Sequence, residues 1–72
     1  MAERFRKGER VEWSFRGHRV VGVVVRRLVE PTTVGGRPVR ASREDPRYLV
    51  RVDRSGKEAA HRGPALRRVR NA

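Results

Sequence analysis

A valine-rich stretch, RVVGVVVRRLVE from Arg19 to Glu30, gives the strongest indication of fold in this chain. Within it, Val20–Val25 is interrupted only by Gly22, and β-branched residues favour extended strands. Glycine inside a strand usually marks a bulge, a sharp bend or a close approach of two backbones. Since one strand of a small barrel has to bend to serve two sheets, we predict a single long strand that bends at Gly22.

The segment before this stretch predicts an antiparallel neighbour. Val11, Trp13 and Phe15 alternate with polar residues, and that period of two is typical of a strand with one buried face. We therefore expect all three side chains to face the core. Lys7–Glu9 indicates a turn before this strand, and Arg16–His18 is short enough to be a hairpin connection after it.

The segment after the valine stretch predicts a loop followed by a corner. Two prolines and a Gly-Gly pair exclude a helix here, although Thr32–Val34 can extend as an edge ribbon and Val39–Ala41 as a short strand. Ser42 can then cap a single helical turn, with Asp45 returning the hydrogen bond. Pro46 blocks continuation of that turn, so the corner aims the next strand.

The last third of the chain predicts two more strands. Tyr48, Val50 and Val52 alternate onto one face of the first strand. Asp53–Gly56 forms a tight turn, since glycine at its end tolerates positive φ, and Lys57–His61 forms the return strand.

These elements together predict an all-β domain, a small SH3-like five-stranded barrel with a short 3-10 or helical turn. We place that turn at Gly63–Leu66 and expect Leu66 and Val69 to close the core. Barrel closure removes the edges that an isolated sheet of this size would expose. The prediction is one domain over residues 1–72 with an ordered core of about residues 5–69, and we expect the first few residues and Arg70–Ala72 to fray.

Composition limits the classes of function. The chain has 72 residues, a net charge of +11 and no cysteine, so disulfides and thiolate metal sites are excluded. A domain this small has a thin core and rarely encloses a catalytic pocket. No apolar run approaches the roughly 20 residues that a membrane span needs, and the N-terminus has no signal-peptide pattern. We expect a monomeric cytoplasmic protein without a cofactor, without a membrane association and without enzymatic activity.

Three stretches resemble a known family. They are FRKGERVEWSF, then GVVVRRL, and then RASREDPRYLVRVDRSGKEAAHRGPALRRV. A Lys-Gly-acid-x-Val-x-Trp start, an Ala-Ser-x-x-Asp-Pro-x-Tyr-x-Val centre and an Ala-x-His-x-x-x-x-Leu end are similar to the hypervirulence-associated protein Tudor-domain family along nearly the whole chain. The resemblance implies an SH3-like Tudor fold and no settled activity. Tudor folds elsewhere bind methylated Lys or Arg through aromatic cages, or nucleic acid through basic faces, which is weak evidence about function here.

Two kinds of site are disfavoured by the residues themselves. An aromatic cage needs several converging rings, and the four aromatic residues here are better explained as core. A catalytic centre needs a positioned acid–base pair. His18 lies in a predicted turn, while His61 is best explained as a partly buried imidazole bonded to a backbone carbonyl or to Asp45. Two histidines and scattered carboxylates show no metal-ligand spacing, so we expect no metal site.

A small polar pocket is one alternative for function. Trp13, Asp45, Tyr48 and His61 can converge at one mouth of the barrel, and a few convergent polar groups are what a ligand site needs. Such a pocket would suit a small anionic ligand, for example a phosphorylated metabolite or a dinucleotide. Because no glycine-rich phosphate loop precedes a helix, its phosphate contacts would come from arginines and loop amides.

Anion binding is the leading hypothesis. Of the 19 basic residues all but Lys7 and Lys57 are arginines, whose planar fork suits phosphate. We expect binding to DNA or RNA that is salt-sensitive and poorly sequence-selective, with no exposed aromatic residue for base stacking. A protein–protein adaptor is the third alternative. The predicted anion-binding residues are Arg26, Arg27, Arg37, Arg40, Arg51, Arg62, Arg67 and Arg68.

Overall fold

The computed structural model describes residues 4–69, so the prediction of frayed ends at the first residues and at Arg70–Ala72 lies largely outside the described residues. Within that range the backbone forms strands and one 3-10 turn and no α-helix, which confirms the all-β prediction. The elements are β1 (Arg10–Phe15), β2 (His18–Leu28), β3 (Thr32–Val34), β4 (Arg37–Val39), β5 (Arg47–Val52), β6 (Glu58–Arg62), the 3-10 turn (Gly63–Ala65) and β7 (Arg67–Arg68).

Strand β2 is the centre of the fold. The main sheet has the order β6-β5-β2-β1-β7, and β3 and β4 form a separate two-stranded hairpin. The first part of β2 pairs with β1, from His18 opposite Phe15 to Val23 opposite Arg10. The later part of β2 pairs with β5. One long valine-rich strand therefore serves both halves of the sheet, as the sequence predicts, and the architecture is that of a small SH3-like barrel.

Gly22 is required by a close approach of two backbones. A Cβ atom at this position would lie 2.3 Å from the carbonyl oxygen of Arg51 and 3.0 Å from the ring of Trp13. No side chain fits there, because real Cβ contacts are longer. The irregularity in the β2–β5 ladder lies further along, between Val24 and Arg26. Of the three roles that the sequence leaves open for Gly22, the structure selects the close approach.

The main core lies on one face of the sheet and differs from the prediction at Phe15. Its buried members are Phe5, Val11, Trp13, Val24, Tyr48, Val50 and Leu66. Leu66 closes the core as expected. Phe15 does not join it and is 56% exposed. The prediction for Phe15 was wrong because β1 ends there, beside the turn to β2, beyond the region that the 3-10 turn and the N-terminal segment cover.

A second apolar cluster lies on the opposite face of the sheet. Leu28, Ala41 and Leu49 are buried there, with Val25, Val34, Val39 and Ala60 packed against them. Val34 and Val39 belong to the β3–β4 hairpin, so the hairpin covers the β2–β5–β6 half of the sheet. The edge ribbon that the sequence predicts at Thr32–Val34 is thus one strand of this covering hairpin.

The corner before β5 is a capped bend. The backbone N–H of Asp45 donates to Ser42 Oγ (3.0 Å), which confirms the predicted cap. The backbone N–H of Ser42 donates to the carbonyl oxygen of Asp45 (3.2 Å), so the return bond comes from the main chain. The prediction of a helical turn was wrong, because residues 43–45 form a bend. The Asp45 side chain is left available for other partners.

Candidate functional site

Ion pairs neutralise only some of the arginines. Within residues 4–69, five carboxylates hold six arginines, and all of these pairs involve the main sheet or the loops beside it. The pairs are Arg10–Asp53, Arg19–Glu12, Arg47–Asp45, Arg62–Asp45, Arg51–Glu58 and Arg68–Glu9. The remaining positive charge is therefore distributed unevenly over the surface.

Five of the arginines without an ion pair lie in one stretch of the chain, from the end of β2 to the bend before β5. From residue 26 to residue 44 the chain has five arginines and two glutamates, and none of these seven forms an ion pair within the described residues. All five arginine side chains are exposed. We call this set the arginine face. Its members are Arg26, Arg27, Arg37, Arg40 and Arg43.

The arginine face lies close in sequence to the second apolar cluster. Each of these arginines is within two residues of a cluster member: Arg26 follows Val25, for example, and Arg40 follows Val39. Arg37 pairs with Val34 across the hairpin, so it shares the face that packs on the sheet. Arg26 pairs with Leu49 of the cluster, whereas Arg27 pairs with Tyr48 of the main core and lies on the other face of β2.

The eight predicted anion-binding residues differ in their ion pairing and in their place in the sheet, and their role in binding stays a prediction. Arg26, Arg27, Arg37 and Arg40 belong to the arginine face, whereas Arg67 lies on β7 at one edge of the sheet. Arg51, Arg62 and Arg68 hold carboxylates. Arg43 belongs to the face and was not among the predicted residues; its position beside the Ser42 cap suggested only a turn.

Arg68 holds the N-terminal segment in place. Its guanidinium lies over the ring of Phe5, 5.0 Å from the centroid, and it donates to the carbonyl oxygen of Arg4 (2.6 Å) and to Glu9. The backbone N–H of Arg6 donates to Glu9 Oε1 (2.9 Å). That hydrogen bond is the main cause that lowers the pKa of Glu9, and Arg68 adds to it. Arg68 therefore fastens the N-terminal segment to β7.

Asp45 separates two arginines that lie opposite each other. Arg47 and Arg62 are cross-strand partners in β5 and β6, and like charges in such positions repel. The carboxylate bridges them, at 2.8 Å from Arg47 Nη1 and 3.1 Å from Arg62 Nε. The hydrogen bond from Arg47 is the main cause that lowers the pKa of Asp45, with Arg62 contributing. The carboxylate thus already has two cationic partners.

Trp13, Tyr48 and His61 lie near one another and contact the main core. Tyr48 is fully buried; its ring meets the edge of Phe5 (centroids 5.3 Å apart) and its hydroxyl accepts a hydrogen bond from the backbone N–H of Phe5 (3.4 Å). His61 is the cross-strand partner of Tyr48 and packs on Trp13 with ring centroids 4.9 Å apart. The polar pocket stays a prediction, with Asp45 directed toward the arginines.

Burial favours the neutral form of His61. Burial lowers the pKa of its imidazole from the usual 6.5. The predicted hydrogen bond to Asp45 is not present within the described residues, where the imidazole instead packs on Trp13. No group of three or more His, Asp or Glu side chains between residues 4 and 69 is arranged to hold a metal ion.

A surface groove runs beside β1. It has a volume of about 500 Å³, and Trp13, Arg19, Pro64 and Arg67 are among its lining residues. The groove lies between the β1–β2 hairpin and the 3-10 turn. Arg67 has no ion pair within the described residues, and Arg19 is paired with Glu12. The groove therefore combines an aromatic residue, a proline and two guanidinium groups.

The comparison with protein families identifies the chain. Residues 8–66 match the family described as hypervirulence associated proteins TUDOR domain. The chain belongs to this family. No curated protein and no solved structure matches it. The resemblance drawn from the sequence motifs is thereby confirmed, and with it the assignment to a class of small binding modules.

The residues of the motifs that carry the family resemblance have structural roles in this Tudor domain. Ser42 and Asp45 close the bend before β5, and Tyr48 fills the main core. His61 supports Trp13 from β6. These residues fix the barrel, so the surface properties of the domain come from other positions. Within residues 4–69 no helix is long and apolar enough to cross a membrane.

Proposed function

We propose that this Tudor domain is a non-enzymatic binding module that holds nucleic acid, or a similar polyanion, on the arginine face. One observation carries the proposal: five exposed arginines lie within two residues of the apolar cluster between hairpin and sheet, and no carboxylate neutralises them within the described residues. Evenly dispersed charge would serve only solubility. We further propose that the domain acts as a cytoplasmic monomer.

The chemistry of the arginine face favours contact with phosphates. Guanidinium groups bind phosphate oxygens with two parallel hydrogen bonds. Phosphate contacts release counterions from the nucleic acid, so affinity falls steeply with salt. Such contacts position a protein on the strand without reading bases. We therefore expect binding without sequence selectivity, and with comparable strength for DNA and RNA.

The experiment compares two variants with the same change in net charge. The first replaces Arg26, Arg27 and Arg40 with Gln, and the control replaces the ion-paired Arg10, Arg51 and Arg62 with Gln. Each variant and the unchanged protein is titrated into fluorescent duplex DNA between about 50 and 200 mM salt. Since one phosphate contact contributes about 0.9 to the log–log slope, the first variant should lose about 2 to 3 from it. The control should lose much less.

Two results would contradict this proposal. Equal losses in both variants would mean that net charge alone governs the affinity, and no binding near physiological salt would mean that the arginine face serves another purpose. In the second case the alternatives become the polar pocket and a protein–protein adaptor. Binding of a small phosphorylated ligand at Asp45, Tyr48 and His61 would persist at moderate salt and would be lost in His61→Ala.

A further inference from the structure

The turn between β1 and β2 carries an exposed aromatic ring. Phe15 is 56% exposed at the end of β1, and the Arg16 guanidinium lies over its ring, 5.2 Å from the centroid. A large apolar side chain that stays exposed at a hairpin tip gains little of the free energy that burial would supply. The exposure is thus a feature that folding alone does not explain, because the alternation of β1 would tolerate a polar residue there.

The backbone of the same turn also departs from what stability favours. Arg16 has φ of 51° and Gly17 has φ of 78°, the pattern of a two-residue turn in which Asn-Gly is preferred. An arginine in the left-handed region carries a conformational cost that Asn or Gly largely avoids. Strained positions cluster where a side chain has a function. Here the strained residue places a cation on an exposed ring.

Basic side chains continue from this turn along the sheet. Ser14 pairs with Arg19 across the hairpin, and Glu12 pairs with Arg67 on β7. Arg19 and Arg67 line the groove described above. Phe15 lies on the face of β1 that carries Trp13, whereas Glu12 and Ser14, with their partners Arg67 and Arg19, lie on the other face. Three residues of strand, about 10 Å, separate Phe15 from Glu12, so an extended chain that contacts Phe15 reaches Arg67 by crossing the edge of β1.

We infer that the turn is a stacking site for an unpaired base, and that the domain consequently prefers single-stranded nucleic acid. This inference rests on the proposed function. Base–aromatic stacking tolerates any sequence, because every base has a π-face. The base stacks on Phe15 with Arg16 as a cationic neighbour, and an adjoining phosphate contacts Arg67, which has no ion pair within the described residues. A duplex offers no free base face along its length, so it gains nothing from the turn.

The surroundings of Phe15 favour a nucleic acid over an anionic membrane. Interfacial anchors combine several apolar residues on one face, whereas Phe15 is the only large apolar side chain that is exposed within residues 4–69. Arg16 lies over the ring itself, and Arg19 and Arg67 line the groove beyond it. A flexible strand can follow the ring and the groove in turn, whereas a flat lipid surface would not reach into the groove.

The test uses substitutions of Phe15 and two nucleic acids. Phe15→Ala, Phe15→Leu and Phe15→Trp are titrated with a fluorescent oligothymidylate and with a duplex, and with vesicles that contain phosphatidylserine. We expect Phe15→Ala and Phe15→Leu to weaken single-strand binding about tenfold and to leave duplex binding unchanged. Phe15→Trp should restore or increase single-strand affinity. Since Phe15 is exposed, the melting temperature should change little.

The possible outcomes separate the two levels of the proposal. If the unchanged protein binds neither nucleic acid, the proposed function fails and the stacking site fails with it. If the protein binds both in a salt-dependent way and Phe15→Ala affects both equally or neither, the proposed function stands and the stacking site is wrong. Vesicle binding that Phe15→Leu retains, without a single-strand preference, would assign the turn to a membrane and also overturn the inference.

Discussion

Gly22→Ala should destabilise the domain strongly, because the added methyl group meets a backbone atom. The new Cβ would lie 2.3 Å from the Arg51 carbonyl oxygen, and ordinary contact begins at 3.4 Å, so β2 and β5 must separate by about 1 Å. Overpacking of this kind costs about 1–3 kcal/mol. A weakened ladder hydrogen bond adds about 0.5–1.5 kcal/mol. Because alanine lowers the conformational entropy of the unfolded chain, it offsets about 0.4–1 kcal/mol of this destabilisation.

The net loss is thus about 2 to 3 kcal/mol, a large part of the roughly 3–5 kcal/mol that a domain of this size can have. Urea unfolding followed by circular dichroism should show a midpoint lower by about 2 M. Gly36→Ala is the control, since nothing lies within 4 Å of its Cβ and φ is 79°. It should cost only the left-handed conformation, about 1–2 kcal/mol, and leave amide exchange between β2 and β5 unchanged. A neutral or stabilising Gly22→Ala would refute the close approach.

Two further predictions concern the core beside Trp13. As pH falls below 6.5, His61 is protonated in the unfolded chain before it is protonated in the folded protein, because burial lowers the pKa of the folded state. The free energy of unfolding should therefore decline through that range. His61→Phe should reduce the change of the urea midpoint with pH. Tyr48→Phe removes the acceptor of the Phe5 N–H and should cost about 1–3 kcal/mol in the same assay. The affinity of Tyr48→Phe for oligonucleotides should equal that of the unchanged protein. If the ligand bound in a pocket at Tyr48, this affinity would change.

Local signals predicted most of the fold. The cap between Ser42 and Asp45 spans three residues, so residue types at fixed offsets are enough to find it. The alternation in β1 correctly placed Val11 and Trp13 in the core. It failed at Phe15 because a period of two identifies the face on which a side chain lies, but not how far along the strand that face is covered. Coverage depends on the 3-10 turn and the N-terminal segment, which are distant in sequence.

The arginine face could not be defined from the sequence for a related reason. An arginine counts toward a binding surface only if no carboxylate holds it, and the partners are distant: Arg10 and Asp53 are 43 residues apart and Arg68 and Glu9 are 59 apart. The sequence therefore ranked Arg51, Arg62 and Arg68 beside Arg26 and Arg37. Only the folded register separates the two sets, since it brings the first three to acidic neighbours.

The separation of paired from unpaired arginines connects the fold to its proposed function. Most carboxylates serve the main sheet, where they offset the repulsion between basic strands; Asp45 does so between Arg47 and Arg62. Within residues 4–69 the β3–β4 hairpin has no such partners, although Arg37 and the following Arg40 lie beside residues of the second apolar cluster. If solubility alone required these charges, acidic residues could alternate with them at no loss. Their accumulation without neutralisation costs self-repulsion, and binding a polyanion would remove that cost.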